Sequence, residues 1–133
     1  MTKIRYLLYC LVVLVGINIQ ALSEDEVDVI KAQPKTKFQV SSEESVKTKL
    51  NSSESAKSIV WIIKKNGEYF WKSRENRKLD HVVSGIYHFF IDPRGGGYVK
   101  IEQGLDGEIK FLEHVGIGLT TFTYFGQAKS FAP

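Results

Sequence analysis

The sequence predicts a mainly β protein: a small antiparallel sheet of about six strands, rolled or closed into a barrel, behind a signal peptide and a flexible polar spacer. Three observations carry this. Short β-branched and aromatic runs recur from Ser58 onward, each bounded by turn residues. Asn66-Gly67 separates the first two of these runs. Residues 24–57, in contrast, hold no Trp or Tyr and one Phe, Phe38. The expected organisation is a signal peptide over 1–23, a spacer over 24–57 and a small β domain over 58–133.

The N-terminus divides as an export signal does. Lys3 and Arg5 form a positive end, Tyr6 to Ile17 an apolar stretch, and Asn18 and Gln20 a more polar one. Cleavage is expected after the small residues Ala21 or Ser23. Asn18 and Gln20 interrupt the apolar stretch before it reaches the roughly 20 residues that span a bilayer comfortably. The expected location is therefore secreted or periplasmic, with membrane contact only through this segment if it stays attached.

Cleavage changes composition and charge. Cys10 is the one cysteine and lies in the apolar stretch, so the mature chain is free of cysteine and disulfides. A small exported domain without disulfides must rely on its apolar core. Removing Lys3 and Arg5 from the 18 basic residues leaves 16 against 15 acidic ones, a balance of +1. Such a balance gives no reason to expect nucleic-acid binding.

The segment 24–57 is rich in Ser, Lys and Glu, and Pro34 interrupts any helix. Its sparse apolar residues predict a flexible tether, because they offset little ordering entropy. There is room for a short helix near Glu24 to Gln33 and another around Glu43 to Leu50. Asn51-Ser52-Ser53 matches a glycosylation acceptor, which matters only in a eukaryotic host.

From Ser58 the elements follow in order. Ser58 to Lys64 and Glu68 to Lys72 flank Lys65-Asn66-Gly67, a strong hairpin signal because both turn residues tolerate positive φ. Ser73 to Asp80 is expected as a loop or one helical turn. His81 to Ile91 is a strand run with Gly85 as a bulge or bend, and its part Tyr87 to Ile91 is apolar enough for the sheet centre. Asp92 to Gly97 is a turn. Tyr98 to Gln103 and Glu108 to Val115 are strands around a Gly104–Gly107 turn. Leu119 to Phe125 is the last strand, with Phe122 and Tyr124 on its core face.

Several residues invite a chemical reading. His81, His88 and His114 have no metal-ligand spacing, and no cofactor or metal is expected. No serine sits in a nucleophile elbow. Asp80, Asp92, Asp106, Glu108 and Glu113 are available as paired carboxylates, but most lie at turns, where Asp serves turn formation. The Gly95-Gly96-Gly97 loop lacks the P-loop pattern. Three glycines exceed what a turn requires, which makes the loop a contact candidate.

The most suggestive segment runs from Tyr69 to Lys78, where aromatics lead into a basic loop. Trp, Tyr and Arg are favoured at binding hot spots, and aromatic faces stack on sugars. Tyr69, Trp71, Lys72, Arg74, Arg77, Lys78 and Arg94 are the candidate ligand-binding residues. The expected function is an exported, non-catalytic binding module whose partner is a protein or polysaccharide of the envelope or extracellular space. Two alternatives remain open. One is a small exported hydrolase using His88 or His114 with a carboxylate, and the other a structural envelope subunit assembling through sheet edges.

Overall fold

The computed structural model describes residues 25–133. The signal peptide assigned to residues 1–23 lies outside them. The described chain forms ten strands and one short helix. They are β1 (Glu26–Ala32), β2 (Pro34–Val40), β3 (Ser45–Lys49), α1 (Ser52–Lys57), β4 (Val60–Lys65), β5 (Glu68–Trp71), β6 (Arg77–Ser84), β7 (Tyr87–Ile91), β8 (Tyr98–Gln103), β9 (Ile109–Ile117) and β10 (Thr120–Ala128). All belong to one antiparallel sheet of order β1-β4-β5-β6-β7-β8-β9-β10-β2-β3.

The mainly β class holds, but a barrel of about six strands does not. The sheet has ten strands and is not closed, with β1 and β3 as its two edges. The four extra strands have two sources. Gly85, at φ 59, turns the chain between β6 and β7, where Ser84 pairs with Tyr87. The run His81 to Ile91 is therefore a hairpin rather than one bent strand. The other three strands, β1 to β3, come from the segment expected to be a spacer.

That segment is ordered into the sheet. β1 pairs with β4, from Glu26 opposite Lys65 to Ala32 opposite Val60. After Gln33 the chain changes partner, and β2 pairs with β10. Pro34 opens β2, a position where a missing N–H is tolerated. Few apolar residues are needed here because only part of the segment faces inward: Val29, Ile30, Ala32 and Pro34 are buried. The helices allowed for near Glu24 to Gln33 and Glu43 to Leu50 do not form. The helix observed is α1, capped by the Asn51 side chain, which accepts from Glu54 N at 2.9 Å and donates to Glu54 Oε1 at 2.6 Å. Asn51 of the Asn51-Ser52-Ser53 triplet thus has a structural role as a helix N-cap.

The hairpin at Asn66-Gly67 forms as expected. Asn66 has φ 53, Gly67 has φ 77, and Lys65 pairs with Glu68. β7 lies inside the sheet between β6 and β8. The core gathers Val29, Ile30, Val60, Ile62, Trp71, Leu79, Phe90, Val99, Ile101 and Phe111, with Phe122 and Tyr124 packed against it. Each such side chain contributes about 1.5–3 kcal/mol on burial, and this apolar cluster stands in for a disulfide framework.

The open seam between the β1 edge and β10 is covered by the chain end. Ala132 N donates to Val29 O at 3.0 Å. Phe131 packs on the core cluster.

Candidate functional site

The site grows from the loop between β5 and β6. Trp71 ends β5 and pairs with Arg77, so residues 72–76 must reverse the chain. They do so tightly: Arg74 N donates to Trp71 O at 3.0 Å and Arg77 N to Arg74 O at 3.3 Å. Glu75 and Asn76 take left-handed backbone at φ 58 and 54. Two successive non-glycine residues there store strain, of order 1 kcal/mol or more each. Ser73 fastens the loop to β4, its Oγ accepting from Trp61 N at 3.1 Å.

Trp71 and Arg74 then meet one buried carboxylate. The Trp71 indole donates to Glu113 Oε2 at 2.9 Å, and Arg74 Nη2 donates to Glu113 Oε1 at 2.6 Å. The Glu113 side chain is 0% exposed and that of Arg74 33%. Burial pushes the Glu113 carboxyl above its ordinary value, while the bonds from Arg74 and Trp71 limit the rise. For Arg74, burial opposes the charge, but the Glu113 bond and charge, with Tyr124, hold it above its ordinary value. The two directions disagree about whether the pair is charged. The ionised pair governs, because a guanidinium does not lose its proton in proteins and 2.6 Å is a charge-assisted distance.

A second ion pair sits beside it. Arg77 Nη1 donates to Asp92 Oδ2 at 2.9 Å, and Asp92 Oδ1 accepts from Arg94 N at 2.9 Å. Burial raises the Asp92 carboxyl, but Arg77 and the N–H groups of Arg94 and Gly95 outweigh it and hold it below the usual range. Asp92 also frames the glycine loop: its N–H donates to Gly97 O at 2.8 Å, and its carbonyl accepts from Gly96 N at 3.0 Å.

The three glycines now have separate reasons. A Cβ on Gly95 would lie 2.6 Å from Arg77 Nη1 and 2.8 Å from Asp92 Oδ2. Gly96 has φ +73. A Cβ on Gly97 would lie 3.1 Å from His114 O and 3.2 Å from the Trp71 ring. The loop is glycine-rich so that it can lie against Trp71 and the Arg77–Asp92 pair.

Between these elements lies a cleft of about 360 Å³, lined by Trp71, Ser73, Arg74, Glu75, Arg77, Asp92, Gly95, Gly97, Val115, Gly116 and Ile117. A wider depression of about 920 Å³ adjoins it, where Arg77, Lys78 and Arg94 meet Asp80 and Asp92. Of the sequence candidates, Trp71, Arg74 and Arg77 meet at the cleft, and Arg77, Lys78 and Arg94 at the depression. Tyr69 and Lys72 lie apart. Tyr69 packs edge-on against His81 and Phe90. Lys72 pairs with Glu26 at 2.7 Å, and Lys78 pairs with Glu68 at 2.9 Å. Much of the basic segment is thus spent on internal ion pairs.

Sequence reasoning missed that Glu113 anchors the site. A signal existed: Phe111, Glu113 and Val115 share one side of β9, and all three are buried. A carboxylate at an inward position of a strand calls for a buried cation or donor. Ile117 and Val115, which line the cleft, carry no chemical motif and gave no such signal.

The histidines divide. His81 Nε2 and His88 Nδ1 lie 2.9 Å apart with near-parallel rings. His114 is elsewhere, with Nδ1 2.9 Å from Thr123 Oγ1 and its ring stacked on Tyr98. Among the described residues, no group of three or more His, Cys, Asp or Glu side chains is placed to hold a metal ion. Compared with family models, curated proteins and solved structures, the chain finds no match.

Proposed function

We propose that this chain is an exported, non-catalytic binding module, and that its ligand face is the cleft between the β5–β6 loop, the glycine loop and the end of β9. The observation that carries the reading is the cleft itself. A volume of about 360 Å³ suits a small ligand or one unit of a polymer. Its walls combine apolar Val115 and Ile117 with the guanidinium groups of Arg74 and Arg77. Each arginine is fixed by a buried carboxylate and keeps further N–H donors. Groups held in place before binding lose little entropy when a ligand arrives. The strained Glu75–Asn76 backbone at the rim supports the same reading.

The hydrolase alternative gains no support from the histidines. The hydrogen-bonding partner of His88 is His81 and that of His114 is Thr123, and a catalytic histidine needs a positioned nucleophile and an orienting acid. Assembly through sheet edges is weakened by β3. All five of its residues are exposed, but Lys47 and Lys49 stand along it, a usual means of keeping an edge from pairing.

The test is capture of a saturable partner from envelope and culture fractions, comparing the natural chain with Ile117→Glu and Arg94→Ala. Both residues are exposed and, among the described residues, neither side chain forms an internal ion pair, so the fold survives the change. Binding lost in Ile117→Glu supports the cleft, whereas binding equal in all three chains removes it.

A further inference from the structure

The described residues contain one device that the cleft does not use, at the seam of the open sheet. His81 on β6 and His88 on β7 are diagonal neighbours on the inward face. Their rings stack at 5.2 Å with an interplanar angle of 10°, and Nε2 of one meets Nδ1 of the other at 2.9 Å. His81 also stacks on Phe90 at 4.5 Å. The chain end rests on this pair. The Phe131 ring meets His88 edge-on at 4.8 Å and Phe90 at 6.3 Å. One residue later, Ala132 N donates to Val29 O on the edge of β1 that faces the seam.

We propose that the His81–His88 pair is an acid-sensitive latch, which holds Phe131 and Ala132 across the seam and lets them go when both imidazoles are protonated. The geometry requires this. A 2.9 Å contact between two ring nitrogens needs a donor and an acceptor. A neutral pair and a singly protonated pair both supply them. A doubly protonated pair presents N–H to N–H and two like charges within one stack, so the rings must part. His88 is the platform for Phe131, so the chain end moves with it.

The surroundings act in the same direction. Lys64 on β4 faces His81 with a further positive charge, β5 offers the Tyr69 phenol, and β7 and β8 offer the apolar Phe90 and Ile101. Among the described residues, the hydrogen-bonding partner of each imidazole is the other, not a carboxylate that would hold a proton. Burial first, then His88 and Lys64, set His81 below the ordinary imidazole range, and burial sets His88 below it. Release therefore belongs to acidic rather than neutral conditions. It exposes the β1 edge and the core around Phe90 together.

Hydrogen exchange on the full chain tests this, between about pH 7.5 and about pH 4.5, with protection corrected for the intrinsic pH dependence of exchange. Protection of the Ala132 amide is expected to fall at least about tenfold on acidification, and by much more than that of the β8 and β9 amides. In His88→Phe, which keeps a ring under Phe131 but cannot titrate, Ala132 protection is expected to be the same at both pH values. In Phe131→Ala, the His81 and His88 titrations read by NMR should move up toward the ordinary value as water reaches the rings. The latch is overturned if Ala132 exchanges alike at both pH values in the natural chain. It is equally overturned if β8 and β9 lose as much protection as Ala132, or if His88→Phe releases the end as the natural chain does.

Discussion

Arg74 reaches from the β5–β6 loop to β9 and donates to Glu113 at 2.6 Å, so a partly exposed arginine of the candidate site is fastened to its most buried charge. The same carboxylate takes the Trp71 indole N–H at 2.9 Å. Loop, core and cleft wall are therefore one mechanical unit. A ligand at the cleft meets donors whose directions are already set.

Glu113→Gln should lower the unfolding free energy by on the order of 2–3 kcal/mol. Breaking a fully buried pair typically costs 3–5 kcal/mol, and the partly exposed Arg74 recovers some of that by hydration. Glu113→Gln combined with Arg74→Met should cost less than the two single changes added. Urea unfolding of the four chains measures this coupling, and strict additivity would show that the pair does not act as a pair.

Acid should destabilise the protein in two stages. His81 and His88 are held below the ordinary imidazole range, so the fold prefers them neutral. The stability they contribute is present above the ordinary value and is lost as pH falls through their lowered values. Asp92 is held below the usual carboxylate range, so its contribution is present above that range and is lost at still lower pH. Unfolding free energy measured against pH should show both losses, and Asp92→Asn should remove the lower one alone.

The glycine loop separates two costs. Gly97→Ala brings a methyl group against Trp71 and the His114 carbonyl, and tight overpacking of this kind costs about 1–3 kcal/mol. Gly96→Ala meets no atom within 4 Å but keeps a φ of +73, which costs about 1 kcal/mol. Only Gly97→Ala should shift tryptophan fluorescence, because only its methyl group touches Trp71. Equal spectral shifts in both variants would contradict the close approach of loop and indole.

Local signals in the sequence were legible and non-local ones were not. Asn66-Gly67 announced its hairpin through two residues that tolerate positive φ, and the alternation of Phe122 and Tyr124 announced the core face of β10. β1 and β2 were hidden. Their partners are far along the chain, Ala32 opposite Val60 and Phe38 opposite Thr123, so no turn marks the pairing. Their solvent side is filled with Lys, Asp and Glu, which gave the whole segment the composition of a tether. The aromatic-basic segment pointed to the right loop. Its charges read as free because Glu113, Asp92 and Glu26, which pair with Arg74, Arg77 and Lys72, stand elsewhere in the sequence, and Glu68 meets Lys78 only once β5 pairs with β6.

The same reasoning gives a truncation test. A chain beginning at Ser58 lacks Val29, Ile30, Ala32 and Pro34 from the core and exposes the edges of β4 and β10. It should show no cooperative thermal transition, whereas a chain beginning at Asp25 should. A cooperative transition in the shorter chain would mean that residues 26–57 decorate a sheet that stands without them.

The most direct measurement for the cleft is saturation binding of a captured partner to the natural chain, to Ile117→Glu and to Lys49→Glu. Ile117 is 67% exposed at the cleft wall, while Lys49 lies on the remote β3 edge. Affinity lost at least about tenfold in Ile117→Glu and unchanged in Lys49→Glu is the predicted result, the size expected for a disrupted contact at a binding site. Affinity unchanged in Ile117→Glu, or lost only in Lys49→Glu, would place the interaction elsewhere and contradict the proposed ligand face.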